Sequence, residues 1–492
     1  MVGFRRHITF LLCIIIIIAL IGCAPKQMND DRYIKLVPVD GEVYTVPAGR
    51  QGMETISIYL PTAEMDVLNR EFREINLELS ENKAMAVLGL LLKDDENEEG
   101  KEEPNEDSLY NPNLAFGGLG EVRLAIVSRS LAIVDITGDF AALSDQMIFA
   151  STVAVVNTLT ELPEIDYVKL SINGVDQGSK GILGNPLMPM GDELRPLWLE
   201  HISYINTEAG KKRESIDRKV LYFLDRSGKF LLAEVRSSYH NTGNDISDIF
   251  QALKNGPANG EEMEPCVSKN VTIQGEPVIY ENDEGQKTVT IALESPKHET
   301  MDNRSRFMIA GAMVLSIQGQ RPDIDVVQIL LNNEPIIDES RLTSEMFIEY
   351  IGNIVSVFFA NESYDRLVPV KRAMAQERYH KPKERVMEVL AGVEPYDPKG
   401  VISVVIAKEQ GSYIKDVSYY DGTAIVNLSY SFPYFTEIGI KTERMIIYSI
   451  VNTLCEFESI SKVQFIVEGK RISSLGNLSV ENPLLPNPGL AH

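Results

Sequence analysis

One inner spacing occurs three times along this 492-residue chain, and a repeat of that kind constrains the fold more than any single residue does. The clearest copy runs from Asp421 to Gly469. Asp421-Gly422 reads as a turn, and Thr423 to Ser429 alternates β-branched and polar residues as a half-buried strand. A helix follows, with Thr442 and Glu443 in its first turn. Met445, Ile446, Ser449, Ile450, Thr453 and Leu454 recur at helical spacing and give it one apolar face. A second strand, Lys462 to Glu468, stops at Gly469.

The other copies keep the same register. Residues 131 to 174 hold the strand Leu131 to Ile136, a helix ending in Val156-Asn157-Thr158-Leu159-Thr160-Glu161, and the strand Tyr167 to Asn173. Asn157 stands eleven residues before Val168, as Asn452 stands eleven before Val463. Between them lies a drifted copy: the strand Thr288 to Leu293, an apolar helix from Phe307 to Ile317, and the strand Val326 to Leu331. There Ser316 stands eleven residues before Val327, so the spacing equates Ser316 with Asn157 and Asn452. An echo, Asn185-Pro186-Leu187-Met188-Pro189 and Asn482-Pro483-Leu484-Leu485-Pro486, extends the repeat beyond its last strand.

The N-terminus has the parts of an export signal: Arg5 and Arg6, an apolar run from Phe10 to Ile21, and small residues at its end. Leu20-Ile21-Gly22-Cys23 resembles the bacterial lipobox, in which cleavage precedes the Cys and its thiol is acylated. Residues 1–22 are thus expected to be a lipoprotein signal peptide and Cys23 the lipidation site, which places the protein on the outer face of the cell membrane. The alternative is an uncleaved span, but the apolar run is shorter than the ~20 residues a bilayer needs. Residues 23–52 read as a tether.

The rest divides into three units, 53–190, 219–340 and 341–487, with a linker at 191–218. In the first, Ile56 to Leu60 and Arg73 to Leu79 read as strands, Ser80 as the cap of a helix over 82–92, and Val122 to Val127 with Leu131 to Ile136 as a hairpin. An acidic run, 94–108, has almost no apolar residue and reads as a solvated loop; it lacks the spacing of a calcium loop. The linker carries the only tryptophan, Trp198, expected to pack against a neighbouring domain, and a basic cluster, Lys211-Lys212-Arg213. In the second unit, hairpins over 220–235 and 271–293 flank a helix, Ile246 to Lys254, ended by Gly256. The third has strands Ile354 to Phe359, Leu367 to Arg372, Val401 to Ile406 and Lys415 to Tyr420, and a helix from Glu384 to Leu390. Two strands, a helix, a hairpin, a helix and a last strand per unit predict an α+β fold, a small sheet with two helices on one face.

Chemistry is hard to find. The formal charge of −24 repels phosphate backbones, which argues against a nucleic-acid partner. The six histidines, His7, His201, His240, His298, His380 and His492, have no metal-ligand spacing. No phosphate loop or nucleophile elbow is present. Ser-x-x-Lys occurs at Ser80/Lys83, Ser412/Lys415 and Ser459/Lys462, without its companion motifs. Cys266 and Cys455 are open to a disulfide, but a connector and a helix in different units suit separate thiols better. Asn157 and Asn452 read as amides that satisfy backbone groups at a helix end, or else as a ligand pair. No catalytic, cofactor or metal residue is nominated.

Leu367-Val368-Pro369-Val370-Lys371-Arg372, Asp421 to Ser429, and Val451-Asn452-Thr453-Leu454 with the strand from Val463 together resemble the GerMN domain of GerM-like sporulation and germination lipoproteins. Units one and three resemble it well, unit two weakly; two such domains are usual, where this chain has three. The resemblance implies an α+β domain similar to ring-building motifs, no enzymatic activity, and a scaffold or assembly role at the membrane surface. Its partners would be envelope or sporulation-channel proteins between mother cell and forespore, with self-association open. The alternatives are an extracytoplasmic accessory subunit of a sensor kinase, or a cell-wall-modifying enzyme.

Overall fold

The computed structural model describes residues 52–76, 82–92, 121–137, 144–178, 181–207, 218–237, 244–296, 301–403, 413–430, 432 and 439–490. The signal, Cys23, the tether up to residue 51, the acidic run and the basic cluster lie outside the described residues.

Unit 1 opens with a hairpin, β1 (Met53–Pro61) and β2 (Leu68–Asn76), whose strands are antiparallel with Ile56 opposite Arg73. Helix α1 (Lys83–Leu91) follows, capped by Asn82 rather than by Ser80: the Asn82 side chain accepts from the Met85 amide, which satisfies a first-turn donor. Then come β3 (Glu121–Ser128), β4 (Leu131–Thr137), the long helix α2 (Asp145–Thr160), β5 (Tyr167–Ile172) and β6 (Val175–Asp176). They form a four-stranded sheet in the order β3-β4-β5-β6, with β4 and β5 parallel because α2 crosses between them. The linker contains a helix, α3 (Leu194–Ile205), which packs back on α2.

Unit 2 repeats this with β7 (Lys219–Asp225), β8 (Leu231–Arg236), α4 (Asp245–Asn255), β9 (Met263–Glu264), β10 (Thr272–Ile273), β11 (Val278–Glu281), β12 (Lys287–Glu294), α5 (Asn303–Gln320), β13 (Val326–Leu331) and β14 (Glu334–Pro335). Gly256, at φ 89°, ends α4 as expected. Unit 3 has β15 (Gly352–Asn361), β16 (Leu367–Ala375), α6 (Pro382–Ala391), β17 (Val401–Ile402), β18 (Ile414–Tyr420), β19 (Thr423–Leu428), α7 (Gly439–Leu454), β20 (Lys462–Val467) and β21 (Lys470–Arg471). The crossover pairs β12–β13 and β19–β20 are parallel as well. The α+β architecture in three tandem units is therefore as expected, with each unit's strands divided between a hairpin sheet and a crossover sheet.

The long helices differ from the amphipathic expectation. From Phe149 to Leu159 every residue of α2 is buried, and α7 buries Ile447 and Val451 besides its expected face. The reason is position: α2 lies against β1 of the hairpin sheet and against β5 of the crossover sheet, so it has little free face to fill with charge. Helix α7 starts at Gly439, which puts Thr442 inside the helix and not at its cap.

Two cores result. Units 1 and 3 share one, built from residues such as Ile58, Val155, Phe359 and Phe465. Unit 2 has its own around Phe223 and Met313, into which Leu342 and Phe347, just beyond residue 340, also pack, and it takes in Ile126 and Leu131 from unit 1.

Candidate functional site

Three polar devices recur at matching places in the units and fix the backbone around them. The first is an arginine on the second strand. Arg73, Arg236 and Arg372 each stand seventeen residues after the first-strand residue they face: Ile56, Lys219 and Val355. Each reaches the end of the following helix. Arg73 Nη1 donates to the Leu90 carbonyl at 3.3 Å, Arg236 Nη2 to Gly256 at 2.7 Å, and Arg372 Nη2 to Gly392 at 2.7 Å. A guanidinium there fills carbonyls that the helix leaves unpaired and meets the negative end of its dipole. Arg372 is the most enclosed, with its side chain 3% exposed and ion-paired to Asp397, itself 1% exposed.

The second device is a hydroxyl on the long helix. Thr158, Ser316 and Thr453 are fully buried, and their oxygens accept from the first-strand amides of Tyr59, Tyr222 and Phe358, each at 3.0 Å. This corrects the equivalence read from the eleven-residue spacing. Ser316 does the work of Thr158 and Thr453, but stands eleven residues before Val327 where they stand ten before Val168 and Val463, which shifts the count.

The third device explains the echo. Leu187, Leu342 and Leu484 each make an antiparallel bridge to the last crossover strand, at Val168, Val327 and Val463. Asn157 then holds the tail on both sides, donating to the Met190 carbonyl and accepting from its amide, both at 2.9 Å. Asn452 accepts from Asn487 at 3.1 Å, and in unit 2 Gln318 takes this part, accepting from Ser344 at 2.6 Å. The amides satisfy backbone, as expected, though the backbone of the tail rather than of the helix end.

The units meet at the β3–β4 turn. Ser128 Oγ donates to the Gly352 carbonyl of unit 3 at 2.8 Å and accepts from the Ala233 amide of unit 2 at 2.9 Å. Arg129, held at φ 54°, donates its amide to Asn353 at 2.8 Å and pairs with Glu262 at 3.0 Å. The Gln376 amide both accepts from and donates to the backbone of Val127, near the C-terminal end of β3. The corresponding strand of unit 3, β18, is met by unit 1, where Gly52 donates to the Tyr419 carbonyl at 2.7 Å. Their counterpart in unit 2, β11, is exposed at every position and shows Val278, Ile279 and Tyr280 to solvent, with no bond from another unit among the described residues.

A cleft of about 400 Å³ lies between units 1 and 3, lined by Glu54, Lys83 and Glu164 on one side and by Lys371, Tyr379 and Arg385 among others on the other. Arg385 is 9% exposed and has no ion-pair partner among the described residues. Its Nε donates to the Tyr379 carbonyl at 2.7 Å, and its guanidinium lies 4.6 Å from the centre of the Phe457 ring. Burial lowers its pKa to about 10, against the pull of Tyr379, Glu456 and Glu164. The Tyr379 hydroxyl is buried beside Asn353 without closing a hydrogen bond, and burial first, then Glu164, raises its pKa.

The remaining candidates are dispersed. Cys266 and Cys455 are both free thiols. His201 is stacked on Trp198 at 5.6 Å, and Phe149 of α2 touches both, so the tryptophan packs the linker onto unit 1. His380 lines the cleft; the other four histidines lie outside the described residues. Ser80 and Ser412 do too, and Ser459 lies at the cleft. Among the described residues no group of His, Cys, Asp and Glu could hold a metal, and no helix is long and apolar enough to cross a membrane.

Fold and site define a protein of tandem α+β units, each stapled by the same arginine, hydroxyl and tail clamp and joined through backbone contacts. Residues 57–178, 220–337 and 356–473 each match the Germane family of sporulation and spore germination, and the chain belongs to that family. Among solved structures it is similar to the tandem GerMN domains of the sporulation protein GerM from Bacillus subtilis, at 14% identity over 56% of this chain and 99% of that one, with a TM-score of 0.24. It is also similar to a candidate lipoprotein from Clostridium perfringens, at 16% identity over 27% of this chain and 87% of that one, with a TM-score of 0.19. No curated protein matches it.

Proposed function

We propose that the protein is a non-enzymatic scaffold of the cell envelope, anchored by acylated Cys23 on the extracytoplasmic face of the membrane, that assembles a channel or envelope complex between mother cell and forespore. The observation that carries this reading is the joining of three units of a sporulation family through the Ser128 turn. A body with its units fixed to one another offers partners one defined surface, which suits assembly. The exposed strand β11 supports the same reading. The equivalent strands β3 and β18 are each bonded by a neighbouring part of the chain, at Val127 and Tyr419, whereas β11 is open along its length and suited to receive an edge strand of a partner envelope protein by β-sheet addition.

Deleting the gene and counting heat-resistant spores tests the reading. A large fall, with forespores arrested or collapsed after engulfment, is expected; normal spore counts and normal germination would overturn it. Cys23→Ala is expected to move the protein from the membrane to the soluble fraction and to reproduce the defect.

A further inference from the structure

The cleft between units 1 and 3 contains a buried guanidinium with no carboxylate oxygen at ion-pair distance among the described residues. Arg385 feels Glu456 and Glu164 only from farther off, so a carboxylate brought into the cleft would gain a direct contact with it. Nearby, Lys371 points its ammonium at Ser356 Oγ, 2.7 Å away, and not at a carboxylate. The acids of the cleft are placed differently. Glu54 is already engaged by Lys83 at 3.6 Å and by the Tyr419 hydroxyl at 2.8 Å, whereas Glu456 and Glu458 are exposed on the rim with no ion-pair partner among the described residues.

We propose that this cleft binds a small zwitterion, whose carboxylate takes Arg385 and Lys371 and whose ammonium faces Glu456 and Glu458. A carboxylate fits the planar fork of an arginine in bidentate fashion. A phosphate dianion fits poorly, since four carboxylates, Glu54, Glu164, Glu456 and Glu458, stand against the three cations Lys83, Lys371 and Arg385. The volume of about 400 Å³ holds a free amino acid or the end of a short peptide, two sources of the same chemistry. Because both units line the cleft, the bound zwitterion would also tie unit 1 to unit 3. The scaffold reading does not depend on this site and survives its failure.

The test is calorimetric titration of the full chain in detergent with glycine, triglycine, acetate, glycine ethyl ester and inorganic phosphate. Saturable binding of glycine or triglycine is expected, the tighter of the two telling free amino acid from peptide end. Acetate and the ester should bind about tenfold more weakly or not at all, each lacking one charge. Lys371→Gln should weaken both glycine and acetate, and Glu456→Gln with Glu458→Gln should weaken glycine alone; these side chains are exposed, so folding is retained. Arg385→Gln, checked for folding by circular dichroism, should abolish binding. Absence of zwitterion binding, phosphate or acetate bound as tightly as glycine, or unchanged affinity in the folded Lys371→Gln variant would each overturn the proposal.

Discussion

Ser128 Oγ donates to the backbone carbonyl of Gly352 across 2.8 Å of space and 224 residues of sequence. The same oxygen accepts from Ala233, so one fully buried hydroxyl touches all three units. Around it Leu231 and Ile351 form a parallel bridge between units 2 and 3, and Ile126 and Leu131 of unit 1 enter the core of unit 2. The chain therefore folds its units onto one another through backbone groups, which cannot be exchanged for other chemistry without moving the main chain.

Removing that hydroxyl should loosen the junction. In Ser128→Ala the Gly352 carbonyl and the Ala233 amide both lose a partner in a dry place, at a cost of about 1–3 kcal/mol for each group left unsatisfied. Urea unfolding followed by the fluorescence of Trp198, which reports unit 1, and by far-UV circular dichroism, which reports all units, should give separated transitions in the variant. Coincident curves at the wild-type midpoint would show that the junction adds nothing.

The hydroxyls of the long helices separate structural from incidental serines and threonines. Thr453→Val keeps the shape but strands the Phe358 amide, and should cost about 1–3 kcal/mol. Ser449, one turn earlier on α7 and equally buried, has no hydrogen-bond partner among the described residues, so Ser449→Ala should be neutral or stabilising. Denaturation midpoints of the two variants decide this, and equal losses would remove the distinction.

The repeat, the α+β class and most strand positions were legible in the sequence because alternation and turn residues are local signals. Two things were not. Asn157, Ser316 and Asn452 could be aligned by spacing, but the single extra residue before β13 moved Ser316 into the place of Thr158 and Thr453, and only the strand pairing reveals it. Arg73, Arg236 and Arg372 carried a readable signal, the same offset from the first strand in each unit. It is hidden because the segments around the three arginines share little else beyond the buried leucine five positions earlier, Leu68, Leu231 and Leu367. The Ser128 junction and the cleft join residues hundreds of positions apart, beyond the reach of any local pattern.

Arg372 should be the least replaceable of the three arginines. Arg372→Met leaves the Asp397 carboxylate enclosed without its counter-charge, and should cost about 3–5 kcal/mol. Arg372→Lys should not restore it, since one ammonium cannot serve both Asp397 and the Gly392 carbonyl in the same geometry. The half-buried partners of Arg73, Glu71 and the Leu90 carbonyl, predict a smaller loss for Arg73→Met. Comparable losses at the two positions, measured by chemical denaturation, would contradict this ranking.

The two thiols should be inert in the folded protein. Burial raises the pKa of Cys266 to about 12, and burial together with Glu456 does the same for Cys455, against an ordinary value near 8.5. At pH 8 the thiolate fraction falls by about three orders of magnitude. In protein carrying Cys13→Ala and Cys23→Ala, a colorimetric disulfide reagent should react slowly, with half-buried Cys455 ahead of Cys266, and rapidly with both thiols after denaturation. Rapid reaction of either thiol in the native state would mean that its segment opens readily.

The exposed strand β11 gives the scaffold reading its sharpest consequence. Ile279 is 41% exposed there, and no hydrogen bond from another unit reaches the strand among the described residues, so Ile279→Lys should leave the unfolding midpoint within about 0.5 kcal/mol of wild type. A lysine on an edge strand opposes the addition of another strand, since its charge would have to be desolvated at the contact. The variant should therefore accumulate normally, stay at the membrane, and still lower the count of heat-resistant spores toward that of the deletion. A full spore count from a stable, normally localised Ile279→Lys protein would show that partners dock elsewhere, and would leave the Ser128 junction as the remaining structural argument for a scaffold.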